Sequence, residues 1–183
     1  MNAKALQLAT RPHPRGSPSL FAVVPCHHAR VRYLGIDYGH RRIGLALSDP
    51  SAILASPWDT MAGGGSPAAS AALVGQRITA FLESHPDEPI HAVVVGLPRR
   101  LNGDDNGETP KVRQFVERLR AVTGLTVYLE DERLTSREAD ERLGVRERDW
   151  RRRKPKLDAA AAAVILQDFL DRPRGENMAP AGT

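Results

Sequence analysis

One cysteine, Cys26, is all that the 183 residues contain, so no disulfide can form within the chain, and a reducing cytoplasm is the compartment that fits. No stretch approaches the run of about 18 apolar residues that a membrane-spanning helix needs, so nothing is expected to cross a bilayer. Aromatic residues are sparse at 5%. With 41% hydrophobic and 26% charged residues, the composition nevertheless excludes both disorder throughout and a collagen-like repeat. A domain of roughly 150 residues buries about two-thirds of its unfolded surface, so a single well-filled core is expected. Acidic residues are missing before Asp37, where Lys4, Arg11, Arg15, Arg30 and Arg32 carry the charge. Those five account for the whole net charge of +4, and the rest of the chain is close to neutral.

What is present divides into three parts. Residues 1–30, with Pro12, Pro14, Pro18 and Pro25 among small and basic residues, read as a disordered basic leader, either resembling a transit peptide or arising from a mis-set translation start. Its apolar stretch at 20–24 is too weak for a secretory signal. Cys26, His27 and His28 lack a partner pair at zinc spacing. Residues 31–172 form the folded domain, and residues 173–183 read as a disordered tail.

Within the domain, residues 31–36 read as a strand ending at Asp37. Tyr38-Gly39-His40-Arg41 make a tight turn, and residues 42–48, with Ile43, Leu45 and Leu47 alternating, an antiparallel partner. A third strand is placed at 52–56, a flexible glycine-rich connection at 62–67 and a helix at 71–84. The nearly continuous apolar run 90–95 predicts a strand covered on both faces. Thr109 and Pro110 read as N-cap and first turn of a helix with Val112, Phe115, Val116, Leu119 and Val122 on one stripe, stopped by Gly124. A strand follows at 125–129. Thr135 and Glu138 then form a capping box for a short helix to Leu143, residues 146–156 a basic loop or lid, and Asp158 the head of an alanine-rich helix to about residue 170. Three strands followed by alternating helices and strands describe a mixed five-stranded α/β sheet flanked by helices, the arrangement of the ribonuclease H-like fold.

Carboxylates stand where elements end or begin: Asp37, the run Glu130-Asp131-Glu132, and Asp158. Gathered at one edge of a sheet, they are hard oxygen ligands suited to Mg²⁺ or Mn²⁺. Two such ions about 4 Å apart can activate a water and stabilise the leaving oxygen in a phosphodiester displacement. Each position also has a plainer reading. Asp37 can serve the glycine turn, the acidic run can be solvated charge, and Asp158 can be an N-cap worth about 1 kcal/mol. Alternation points Glu130 and Glu132 to the same face, so either can reach the metals.

Tyr33-Leu34-Gly35-Ile36-Asp37-Tyr38-Gly39 with Arg42-Ile43-Gly44-Leu45-Ala46, then Val94-Val95-Gly96-Leu97-Pro98, Asp131-Glu132-Arg133-Leu134-Thr135-Ser136, and the segment from Lys156-Leu157-Asp158 through Leu166 follow one another in order. The series resembles the successive motifs of the YqgF (RuvX) family over about 31–170. The resemblance implies a ribonuclease H-like nuclease, acting either in maturation of the 5′ end of pre-16S ribosomal RNA or as a Holliday junction resolvase on branched DNA. By position it implies Asp37 as the first catalytic carboxylate, the Asp131-Glu132 pair as the second with Glu132 the favoured ligand, and Asp158 as the third. A resolvase is expected to be a two-fold homodimer, whereas an RNA-processing enzyme can be a monomer.

Basic residues around this edge read as phosphate contacts: Arg41 and Arg42 in the first turn, Arg99 and Arg100 after Gly-Leu-Pro, Arg133 beside the acidic run, and Arg151, Arg152, Arg153 and Lys154 before Asp158. Trp150 can stack on an unpaired base or anchor the core. Two other readings remain. Asp37-Tyr38-Gly39 followed by Ile43-Gly44 also resembles the first phosphate turn of the actin and sugar-kinase superfamily, although a second domain has no room here. A catalytically silent RNA-binding assembly factor could keep the carboxylates without using them.

Overall fold

The computed structural model describes residues 31–132 and 150–172, with backbone alone for 150–156. Its elements in chain order are β1 (Arg32–Tyr38), β2 (Arg42–Ser48), β3 (Ala55–Ala62), α1 (Pro67–Ser84), β4 (Ile90–Leu97), α2 (Thr109–Thr123), β5 (Thr126–Asp131) and α3 (Trp150–Asp171). The strands lie in the order β3-β2-β1-β4-β5. β1, β2 and β3 are antiparallel neighbours, while β4 runs parallel to β1 and β5 parallel to β4. This is the mixed five-stranded sheet expected of a ribonuclease H-like fold. Among the described residues no helix is long and apolar enough to cross a membrane.

Alternation along the strands divides the interior into two layers. Leu34 and Ile36 of β1, with Ile43 and Leu45 of β2 and Val93 and Val95 of β4, face α1 and α2 and meet Val74, Ile78, Phe115 and Leu119. Tyr38 on this face stacks on Phe115 with ring centroids 4.3 Å apart. Gly35, Ala46 and Val94 face α3, where Ala162, Ala163, Leu166 and Phe169 form a second and smaller core. A Cβ on Gly35 would come within 2.7 Å of the Ala162 carbonyl oxygen. Alanine on the helix and glycine on the strand therefore let two backbones meet closely.

Several boundaries differ from those expected. The third strand begins at Ala55, because the Asp49 carboxylate captures the N–H groups of Ser51, Ile53 and Leu54 and holds residues 49–54 as a turn. The same bonds, that from Leu54 foremost, hold the Asp49 carboxyl below the usual range. α1 starts a turn early, since Ser66 accepts from the Ala69 N–H and Pro67 opens the helix. Thr109 is a buried first helical residue and not the cap. Its hydroxyl donates to the Pro98 carbonyl at 2.6 Å, while the Asn106 side chain accepts from the N–H groups of Glu108 and Thr109. Val122 leaves the buried stripe and is exposed. α3 already runs from Trp150, so residues 150–156 are helix rather than loop, and Asp158 lies inside α3 instead of capping it. The leader, the capping box and short helix at 135–143, and the tail lie outside the described residues.

Candidate active site

The site is built where glycines thin the sheet. Asp37 pairs across the ladder with Gly44 of β2. A Cβ on Gly44 would stand 1.9 Å from the Asp158 carbonyl oxygen, so the missing side chain is what lets α3 settle on β2 and set Asp158 beside Asp37. Glu132 arrives from the other side. It follows β5, its N–H donates to the Leu97 carbonyl at 3.3 Å, and its Oε1 lies over Gly96, where a Cβ would come within 2.0 Å. Gly96 in turn follows Val95, the β4 partner of Ile36.

Charge effects report the convergence. Burial first, and then the charge of Asp158, pushes the Asp37 pKa up to about 6. Burial, followed by Asp37 and Asp131, pushes Glu132 up to about 7. Asp158 lies against Arg42, whose Nε is 3.0 Å from its Oδ2. That oxygen is shielded from solvent yet has no aligned hydrogen bond, so the contact is one of charge rather than of directed donation. Among the described residues no three carboxylates or imidazoles are drawn together as a finished metal cluster. The donor set itself, three carboxylates of which Asp37 and Glu132 are raised first by burial and then by neighbouring carboxylates, has the chemistry that a hard divalent cation takes.

The other sequence-derived candidates fall in different places. Asp131 alternates to the α1 and α2 side of β5 and lies 3.8 Å from Arg99, away from the face that carries Asp37. Glu130 shares the face of Glu132 as alternation predicts, but it does not reach the carboxylate group, because it accepts a hydrogen bond from Arg172. Arg42 is engaged with Asp158 instead of standing free for phosphate. Arg41 is exposed in the first turn, and Arg100 is exposed in the 98–108 loop, where its N–H donates to the Asp104 carbonyl. Arg99 is half-buried, with a shielded Nε that has no aligned acceptor. Arg133 lies outside the described residues, as do the side chains of Trp150, Arg151, Arg152, Arg153 and Lys154, whose backbone forms the start of α3. Gly44 and Gly96, quoted in the sequence only as parts of motifs, and Arg172 are the positions whose part in the site the sequence did not reveal. A glycine inside an apolar strand is the available signal, since it marks close approach of another backbone.

The raised carboxyls carry a sign. Between about pH 4 and 7 the folded chain holds protons on Asp37 and Glu132 that the unfolded chain has released, so their contribution to stability falls as pH rises. Without divalent ions, Asp37→Asn should therefore melt higher than the wild type at pH 8 and show a smaller difference at pH 5. Adding Mg²⁺ should raise the wild-type melting temperature at pH 8, with about 2.7 kcal/mol gained at a hundredfold excess over Kd. Thermal melts of both proteins at the two pH values check this.

A family model described as RuvX, Holliday junction resolvase, matches residues 31–172. A "Putative pre-16S rRNA nuclease" of Roseiflexus sp. (strain RS-1) is 39% identical over 143 residues, which cover 78% of this chain and 96% of that protein. Proteins of the same description from Nocardioides sp. (strain ATCC BAA-499 / JS614) and Endomicrobium trichonymphae are 41% and 37% identical, covering 80% and 76% of this chain and 92% and 95% of their own. Among solved structures, T. thermophilus RuvC in complex with Holliday junction substrate aligns over 76% of this chain and 93% of its own, at 18% identity and a TM-score of 0.45. The family match takes in every described strand and helix, and the relatives align over nearly their whole length: the chain belongs to the RuvX Holliday junction resolvase family.

Proposed function

We propose that this protein is a divalent-metal-dependent endonuclease that processes the 5′ end of pre-16S ribosomal RNA in the cytoplasm. In this reading Asp37, Glu132 and Asp158 hold Mg²⁺ or Mn²⁺. The observation that carries the proposal is the convergence of these carboxylates, from β1, the end of β5 and α3, on one end of the sheet, where the charge of Asp158 opposes ionisation of Asp37 and that of Asp37 opposes ionisation of Glu132. The description shared by the relatives supports the RNA substrate.

Bound divalent ions would supply Lewis acidity and an activated water for in-line attack at phosphorus. The chain's own residues prepare the place. Asp37 is the central donor, because the charges of Asp158 and Glu132 both reach it. Arg42 holds Asp158 and offsets part of the negative charge while the site is forming. Gly96 leaves the room that the Glu132 carboxylate occupies. Arg41 and Arg100, exposed on the flanking turns, and Arg151, Arg152, Arg153 and Lys154 in the first turns of α3 would follow the nucleic-acid backbone, and each phosphate neutralised adds close to one unit of salt dependence.

The family description favours a second reading, cleavage of four-way DNA junctions by a homodimer with paired sites. The test is cleavage by the purified protein of a labelled RNA spanning the 5′ end of 16S precursor and of a labelled four-way junction, each with EDTA, Mg²⁺ or Mn²⁺. Metal-dependent cutting of the RNA is expected. Cutting confined to the junction would select the resolvase, and tight binding of RNA with no cutting would identify a silent assembly factor.

A further inference from the structure

Polar contacts tie α3 to the sheet along its length. Asp158 meets Arg42 of β2. Further along, the Gln167 amide accepts from the Ala55 N–H at 2.8 Å and donates to the Ile53 carbonyl at 3.0 Å. Just past the helix, Arg172 Nη2 donates to Glu130 Oε1 of β5. Between these anchors the contact is an apolar seam, small residues against Gly35 and Gly44 with Ile165 over Gly96 and Phe169 between Tyr33 and Tyr128. β3 and β5 are the two edges of the sheet. Gln167 and Arg172 thus grip opposite edges and together set how the helix lies across the strands.

The Arg172 contact is an odd choice if stability were its purpose. Glu130 is 2% exposed, and its Oε2 has no hydrogen-bond partner. A buried pair that leaves one oxygen unsatisfied returns little net stability, because desolvation consumes the Coulombic gain. Its placement is more telling. Glu130 is on β5 two residues before Glu132, which follows the strand on the same side of the sheet, and Arg172 follows the helix that carries Asp158, so one contact joins the two segments that bring carboxylates to Asp37 from opposite sides.

We propose that the Glu130–Arg172 pair is a positioning device that fixes the placement of Glu132 and Asp158 around Asp37, and so sets the affinity for divalent cation rather than for nucleic acid. The inference rests on the metal-site reading above. Calorimetric titration of the full chain with Mn²⁺, alongside cleavage measured as a function of Mn²⁺, tests it in the wild type, Asp37→Asn, Arg172→Ala, Arg172→Lys and Glu130→Gln. Arg172→Ala should weaken Mn²⁺ binding about ten- to a hundredfold and raise the half-activating Mn²⁺ concentration equally, while kcat at saturating Mn²⁺ stays within about twofold. Arg172→Lys, which keeps the charge, and Glu130→Gln, which keeps an acceptor of the same shape, should recover most of that affinity. Arg172 is partly exposed, so its removal creates no cavity, and a thermal melt verifies folding. Unchanged Mn²⁺ affinity in a destabilised Arg172→Ala protein would overturn the inference, leaving a merely structural contact. Equal Mn²⁺ binding by the wild type and Asp37→Asn would overturn the metal site itself and this inference with it, so the two failures are distinguishable.

Discussion

Asp37→Asn should lower the cleavage rate by at least about a thousandfold, equivalent to roughly 4 kcal/mol of transition-state stabilisation, with folding and nucleic-acid binding largely retained. The amide has the shape of the carboxylate, so the packing of Gly35 and Leu166 around this end of β1 is undisturbed. What disappears is the central charge, the one that reaches both neighbours. Single-turnover cleavage in Mg²⁺ and Mn²⁺, together with an RNA-binding titration, provides the check. A variant that cuts within tenfold of the wild type would remove Asp37 from the centre of the site.

The second large effect is expected from glycine substitutions that separate folding from metal binding. At Gly44 a methyl group would fall 1.9 Å from a backbone oxygen of α3. Backbone cannot turn aside as a side chain does, so the helix must lift, and Gly44→Ala should cost about 3 kcal/mol or more in urea unfolding, at the upper end of overpacking penalties. At Gly96 the nearest atom is instead the carboxylate tip of Glu132, with Ile165 Cδ1 next at 2.7 Å. Gly96→Ala should therefore fold with a smaller penalty but displace Glu132, and lose Mn²⁺ affinity out of proportion to its stability. Equal losses of stability in the two variants would contradict this account of how the glycines are used.

Sheet and site differ in how far they could be read from the sequence. Alternation at Ile43, Leu45 and Leu47 places β2 correctly to the residue, and the apolar run that begins at Ile90 places β4, because burial on known faces leaves a direct imprint on residue type. Local side-chain bonding leaves none. Asp49 delays β3, and Asn106 binds the N–H groups of Glu108 and Thr109 ahead of α2, through hydrogen bonds that composition does not announce. The basic stretch before Asp158 shows no apolar period, yet its backbone continues α3. At the site, Asp37 and Glu132 were visible as acidic residues at strand ends and Asp158 as one ahead of the alanine-rich stretch, but their meeting depends on Gly44 and Gly96 and on a helix packed across β1 to β4. The division of labour between Glu130, Asp131 and Glu132 follows from which face each takes and which arginine waits there. Only the fold supplies that.

The alanine-on-glycine seam also bears on the order in which the molecule assembles. β1, β2 and β3 join through short turns, whereas α3 closes onto them over long separations, as with Ala55 and Gln167, which are 112 residues apart. Loop closure of that length comes late, after the locally connected strands have formed. A nascent or partly opened chain with α3 undocked holds Asp37 without Asp158, and on the proposed metal-site reading it should not cleave phosphodiesters however complete its sheet. Native-state hydrogen exchange should find the amides of α3 opening at lower free energy than those of β1 and β4. On that reading, competence to cut should arrive only with the docking of α3.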